Sequence, residues 1–322
     1  MRRRDLALSL PLLALAPASN AQAWPSRQIA MVVPFPPGGQ ADLAARPVAA
    51  AMEQLLGQPV TVQNRGGAGG AIGNAAVARA APDGYTLLMA LSSLAVLPEA
   101  DRLFGRTPQY EVDQLVPIGR VLADPTMLAV RADSPWRTLE EFVAAAKLAP
   151  GSIPYGSSGT YGTLHVAMEM FAHSAGIRLL HVPFQGAGPA LTALVGGQVR
   201  ALASAPGTLT QHVREGRMRV LACWGAERVP AFPEAPTFLE RGFAGVEFSI
   251  WAGLFAPAGV PAPVQARLRA ALAEAMRSPV AIRAFEAAGS PPAWLDQPEF
   301  ARFVAADSAR LITAVRAIGK VE

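Results

Sequence analysis

Short runs rich in valine, isoleucine and leucine alternate with alanine-rich stretches of helical periodicity along nearly the whole chain, and no other feature restricts the fold so strongly. Strands are expected near residues 29–34, 60–64, 86–90, 116–122, 127–131, 153–156, 179–182, 201–204, 220–224 and 247–255. Helices fill the gaps, among them 41–56, 138–147, 163–175, 187–195 and 264–276. Apolar runs of this kind suit strands covered on both faces, so the pattern predicts an α/β chain of mostly parallel sheet flanked by helices. With 322 residues, 51% of them hydrophobic, there is material for two domains or one large one.

The junction PFPPGGQAD joins the first strand to the first helix through Gly38 and Gly39. Two glycines there either make a tight turn or let backbone N–H groups approach a ligand at a helix N-terminus, which favours negative charge. A second strand, glycine-rich turn and helix follow at YGSSGTYGTLHVAMEMF, an echo that suggests two similar α/β halves. Boundaries fall near residues 123–126 and within the proline-rich 227–238 segment. If the C-terminal part returns to the first half, the chain crosses twice and makes a hinged cleft, with ligands at the C-terminal ends of strands.

The first residues, MRRRDLALSLPLLALAPASNAQAWP, combine a basic start, an apolar run and the small-x-small site Ala21-Gln22-Ala23. That reads as a secretory signal, residues 1–23, and predicts a periplasmic protein exported by the general or the twin-arginine route. The run is shorter than the roughly 20 apolar residues of a membrane span and is broken by Pro11 and Pro17. Losing three arginines and one aspartate with this leader lowers the formal charge from +4 to +2. The remaining basic residues are dispersed, which gives no nucleic-acid footprint.

Chemistry-bearing patterns are sparse. Cys223 is the single cysteine, set in an apolar run that suits a buried thiol. His165, His173, His181 and His212 have no metal-ligand spacing, so no metal is expected. The glycines of NRGGAGGAIG miss the dinucleotide fingerprint, because Ile72 stands where its last glycine belongs; that loop reads as a close-packed connection or a ligand-proximal turn. Gly156-Ser157-Ser158-Gly159-Thr160 departs from G-x-S-x-G at its last position. A hydrolase working through the Ser157/Ser158 loop is the rival reading, but no acid partner for His165 is marked. What remains are turns rich in N–H and O–H donors without a nucleophile, base or cofactor anchor: Gly38-Gly39, Ser157 to Thr163, Ser92-Ser93 and Ser204. Donors of this kind capture an anion or a polar ligand.

These residues carry a resemblance. WPSRQIAMVVPFPPGGQAD, GQPVTVQNRGGAGGAIG, APDGYTLLMA, YGSSGTYGTLH, HVPFQGAGPALTALVGGQV, EAPTF and WAGLFAPAGVP resemble, in order and over the whole mature chain, the substrate-binding proteins of tripartite tricarboxylate transporters, the Bug solute receptors. The resemblance implies a two-domain, periplasmic-binding-protein-like (Venus flytrap) α/β fold with two crossovers, residues 24–123 plus 234–322 forming one domain and 124–233 the other. It implies a monomeric, non-enzymatic receptor without cofactor that closes over a small carboxylate and serves membrane transporter subunits or a signalling partner. Carried over, Phe35, Pro37, Gly38 and Gly39 form one clamp. Ser157, Ser158, Gly159, Thr160 and Gly162 form the other, with His165 at its back and Ser92, Phe184 and Ser204 nearby.

Two departures bear on the ligand. Ser204-Ala205-Pro206 stands where many relatives carry an acidic or amide pair, and Phe184-Gln185 where they often carry Tyr and Lys. Both point to a less polar distal pocket and a monocarboxylate with an apolar or aromatic body.

Overall fold

The computed structural model describes residues 24–321; the leader reading lies outside the described residues. In chain order the elements are β1 (Ile29–Val33), α1 (Gln40–Leu56), β2 (Val60–Asn64), α2 (Ala71–Ala78), β3 (Thr86–Leu91), α3 (Ser93–Leu103) and β4 (Leu115–Pro125). Then follow β5 (Met127–Arg131), α4 (Leu139–Leu148), β6 (Pro154–Ser157), α5 (Thr163–Ala175), β7 (Leu180–Pro183), α6 (Ala187–Val195), β8 (Ala201–Ser204), α7 (Pro206–Arg214) and β9 (Met218–Cys223). The chain ends with β10 (Ser249–Pro257), α8 (Ala262–Arg277), α9 (Pro279–Ala288), β11 (Leu295–Asp296) and α10 (Gln297–Ile318). All ten expected strands have a counterpart in β1 to β10.

The strands form two sheets, ordered β11-β4-β10-β3-β1-β2 and β7-β6-β8-β5-β9, each covered by helices in an α/β architecture. The expectation of mostly parallel sheet is corrected: both sheets are mixed. β1 pairs in parallel with β2 and β3, and β6 with β7 and β8, whereas β10 is antiparallel to β3 and β4, and β5 to β8 and β9. The cause is the way the chain changes sheets. β4 ends at Pro125 in one sheet and β5 starts at Met127 in the other, while β10 returns after the 224–248 segment. A strand arriving from the other unit starts at the seam, so it runs against the strands that end there.

This geometry has a consequence for the helices. β1, β3, β6, β7 and β8 all end at the seam, so α1, α3, α5, α6 and α7 start there and turn their N-termini toward it. At the crossover, three stretches share a ring of backbone bonds: Thr126 N–H to Phe248 C=O (3.1 Å), Phe248 N–H to Trp224 C=O (2.9 Å) and Trp224 N–H to Thr126 C=O (2.8 Å). These short joints tie the units covalently, and helix packing adds to them, with α7 of the second unit against α9 and α1 of the first. α10 lies against α3 and β4 of the first unit and also against α5 of the second.

Glycine permits the closest approaches. The loop after β2 meets the second unit backbone to backbone, since a Cβ on Gly159 would stand 3.0 Å from both N and Cα of Gly69. The NRGGAGG loop is therefore a close-packed seam element. Within the first unit, Gly253 of β10 lies under Phe300 of α10, which is fully buried beside Trp251 and Phe255. A Cβ at Gly253 would be 2.2 Å from the ring. Gly253→Ala should therefore cost about 1–3 kcal/mol by overpacking, with part recovered in Gly253→Ala/Phe300→Leu; urea unfolding measures both.

Candidate functional site

At the seam lies a closed cavity of about 20 Å³, walled by Phe35, Gly39, Gln40, Ala41 and Leu91, with Ile250, from the first unit. Ser158, Thr163, Leu164, Ala187, Ser204, Ala205 and Thr208 complete it from the second. The first turns of α1, α5, α6 and α7 all contribute. None of the four has a side-chain N-cap: their N-cap residues are Gly39, Gly162, Gly186 and Ala205. Away from the seam, α4 and α10 are capped by Thr138 and Asp296, while α8 begins at Pro261 without a side-chain cap. Uncapped first turns leave orphan N–H groups and the positive ends of helix dipoles aimed at one enclosed point.

The side chains there repeat the pattern. Ser158 Oγ, Thr163 Oγ1 and Gln40 Oε1 are buried and have no hydrogen-bond partner. A buried polar group without a partner costs roughly 1–3 kcal/mol, so two hydroxyls and an amide oxygen left unpaired in one cavity mark a place that polar groups of a ligand complete. Ser204 Oγ is paired with Thr208 Oγ1 at 2.5 Å, and Thr208 donates to Ala205 C=O at 2.8 Å.

The first clamp loop is held from behind. Asp42, on the first turn of α1, accepts from Gly38 N–H (3.0 Å), Arg46 Nε (2.8 Å) and Asn64 Nδ2 (3.0 Å), and Asn64 also donates to Phe35 C=O (2.9 Å). Burial alone would raise the Asp42 carboxyl, but the bonds from Arg46, Asn64 and Gly38 outweigh it and hold it below its ordinary value. Gly38 therefore spends its amide on Asp42, and Pro37 and Gly38 are exposed. Neither lines this cavity, whereas Gly39 and Phe35 do.

The second loop is held by histidines. His165 Nδ1 accepts from Tyr161 N–H (3.0 Å), and Tyr161, left-handed at φ 56°, passes its hydroxyl to Gly319 C=O (2.6 Å). Ser157 Oγ sits 2.6 Å from His181 Nε2, and the two histidine rings lie 4.1 Å apart. Burial, and for His165 the neighbouring His181, push both imidazoles down, His181 to about 4 and His165 well below its ordinary value. Both rings are thus neutral at pH 7. Ser157 and His165 support the loop without lining the cavity, Gly162 serves as the α5 N-cap, and Ser92 is buried with an unpartnered Oγ just before α3. Gly159, Thr160 and Phe184, with Gln185, line an outer cleft of about 610 Å³ along the seam. Of the departures that pointed to a less polar pocket, only Ser204-Ala205 adjoins the inner cavity.

A hydrolase reading finds no support in this arrangement. The serine paired with a histidine, Ser157, is fully buried behind the loop, and the serine facing the cavity, Ser158, has no base. Among the described residues no group of three or more His, Cys, Asp or Glu is placed to hold a metal, and no helix is long and apolar enough to cross a membrane. Cys223 is buried.

Sequence reasoning placed Thr163 in the donor turn but did not single out Gln40, Ala41, Leu91, Leu164, Ala187, Thr208 and Ile250 as wall residues. Gln40 and Ala41 lie within PFPPGGQAD and Leu164 just after the second turn, and starting a helix is the signal that could have found them. It also missed Asp124, at the end of β4, which is buried and accepts from Gln40 Nε2.

The Tripartite tricarboxylate transporter family receptor pattern matches residues 44–320. Protein BugT of Bordetella pertussis is 34% identical over 305 residues, covering 95% of this chain and 93% of BugT. Among solved structures, the periplasmic binding protein BugD superposes with a TM-score of 0.86 at 31% identity, covering 92% of this chain and 99% of BugD. MatC from Rhodopseudomonas palustris, solved with bound malate, gives 0.84 at 30% identity, covering 90% and 99%.

The buried titratable groups make a pH prediction. His165 and His181 bind protons more readily when unfolded, so their stability is full above about pH 6.5 and is lost as pH falls toward 4. Asp124, raised by burial to about 7, has the opposite sign: as pH falls from about 7 to 3.8 the folded state takes up the proton and gains. The melting temperature of Asp124→Asn should therefore drop more steeply than wild type between pH 6.5 and 4, and that of His181→Gln less steeply, in a pH-resolved thermal melt.

Proposed function

The chain belongs to the tripartite tricarboxylate transporter receptor family, and from that premise we propose that it is a periplasmic receptor that captures a small carboxylate between two hinged units and presents it to membrane transporter subunits. The observation that carries the ligand class is the meeting of four uncapped helix N-termini at one buried cavity where the Ser158 and Thr163 hydroxyls lack partners. Such a cavity stabilises a carboxylate through N–H and O–H donors, without a cationic side chain in its wall.

The hinge reading rests on the two crossovers. About 20 Å³ has room for one water, so a ligand of several atoms enters only when the units part about the Thr126, Trp224 and Phe248 joint. Ligand bound to one clamp then draws the other in, because the closed state adds donors that the open state lacks. The change of sheet between Pro125 and Met127 supports a first domain boundary close to the expected residue 123, and the 224–248 segment a second one around residue 233.

The ligand body follows from the rest of the wall. Phe35, Leu91, Leu164, Ala187 and Ile250 are apolar, which supports a monocarboxylate with an apolar or aromatic body over a polycarboxylate. A thermal-shift screen of small carboxylates tests this: a ligand at 100 times its Kd stabilises by about 2.7 kcal/mol. Benzoate-like and nicotinate-like acids should shift the melt more than glutamate, aspartate or citrate; the reverse order would refute the apolar-body reading. Thr163→Val should weaken any bound carboxylate about tenfold or more while leaving the unliganded melt near wild type.

A further inference from the structure

The cavity wall contains one side chain that the carboxylate clamp does not use. Gln40 is the first residue of α1, is 3% exposed and lines the cavity. Its Nε2 is fully engaged away from the cavity, donating to Asp124 Oδ2 and, at 3.4 Å, to Ser290 Oγ. Its Oε1 has no partner at all. The second unit comes up to this oxygen with its barest residue: a Cβ on Gly207 of α7 would stand 3.4 Å from Gln40 Oε1 and 2.7 Å from Ser290 Oγ.

We propose that Gln40 is a specificity-determining residue whose side-chain carbonyl, aimed by Asp124 and Ser290, selects carboxylates that carry a hydroxyl or N–H donor on the remainder of the molecule. The inference rests on the carboxylate reading and deepens it. An amide whose N–H groups are both spent can only accept, so its oxygen discriminates between ligand groups: it binds a donor, repels a second carboxylate and leaves an apolar end with an unpaired acceptor to desolvate. When ionised, Asp124 fixes the polarity, since a carboxylate at that point accepts and cannot be served by the amide oxygen. No ionisable side chain acts on Asp124 by charge; its partners are Gln40 on α1 and Ser290 after α9, with Ile250 across the ladder on β10. The arrangement also supplies from the first unit the acceptor that Ser204-Ala205-Pro206 lacks in the second. The distal wall is therefore not wholly apolar, and an apolar-bodied acid with one donor fits it better than the bare acid.

Matched acids at pH 8.5, where Asp124 is ionised, test the idea by calorimetry: butanoate against 4-hydroxybutanoate, propanoate against 3-hydroxypropanoate, and benzoate against the three hydroxybenzoates, with the methyl ethers as acceptor-only controls. In wild type at least one hydroxy acid should bind about tenfold tighter than its parent and its ether, the size of one buried hydrogen bond. Gln40→Met should bring that ratio to about one. Asp124→Asn, whose amide can donate to Gln40 Oε1, should reduce the ratio too. A merely structural role would lower both affinities together and leave the ratio alone. Binding without discrimination in wild type, or an unchanged ratio in Gln40→Met, overturns the inference by itself. Should Gln40→Met not fold, an unchanged ratio in Asp124→Asn overturns it. No binding by any member brings down the carboxylate reading, and this inference with it.

Discussion

Everything at the seam depends on how closely two backbones can approach. Gly69 and Gly159 touch where any side chain would hold the units apart, and with the units this close the inner cavity between them keeps only about 20 Å³. Sealing matters because a hydrogen bond to a carboxylate is worth far more in a dry enclosure than beside bulk water. The same closure strands the hydroxyls of Ser158 and Thr163, so the closed state is uneconomical without a polar guest. Ligand and closure are thereby coupled: each supplies what the other leaves unmatched.

Charge is kept out of this enclosure by placement. Asp42 would repel an anion from the first turn of α1, yet it faces backward into Arg46, Asn64 and Gly38, and works as a strut for the clamp loop. The histidines behind the second loop are neutral, because burial of two rings 4.1 Å apart makes a proton on either one expensive. Attraction for an anion thus comes from helix ends and hydroxyls alone, a set of donors whose directions are built into the backbone. That suits selection by shape and by the far end of the ligand rather than by net charge.

Much of this was legible in the sequence, and the limits are instructive. Strand positions showed because buried β-branched runs are local signals, and PFPPGGQAD and YGSSGTYG showed because loops preceding helices are local too. Strand direction did not show: the antiparallel setting of β10 and β5 follows from where the chain changes sheets, which no window of residues records. Site membership was half visible. Gly39, Phe35, Ser158 and Ser204 reach the cavity, but Pro37 and Gly38 do not, because Asp42 captures the Gly38 amide from four residues ahead. Ile250 and Asp124 were out of reach: the ladder between β4 and β10 sets them opposite each other, Ile250 in the cavity wall and Asp124 behind Gln40.

The second loop shows how a strained geometry is maintained across the seam. Tyr161 holds a left-handed backbone that a bulky residue adopts only under constraint. One constraint is internal to the second unit, the His165 Nδ1 that accepts its amide. The other comes from the chain's far end: Tyr161 donates its hydroxyl to Gly319 and accepts from Val321 N–H, just past the helix that packs on the first unit. The ring also meets Phe104 of the first unit edge-on at 5.9 Å. A loop whose shape is set by both units holds this geometry only when they are together, so the hydroxyls of Ser158 and Thr163 are placed by the same closure that buries them. Affinity in such a receptor is then governed as much by contacts remote from the cavity as by the residues that wall it.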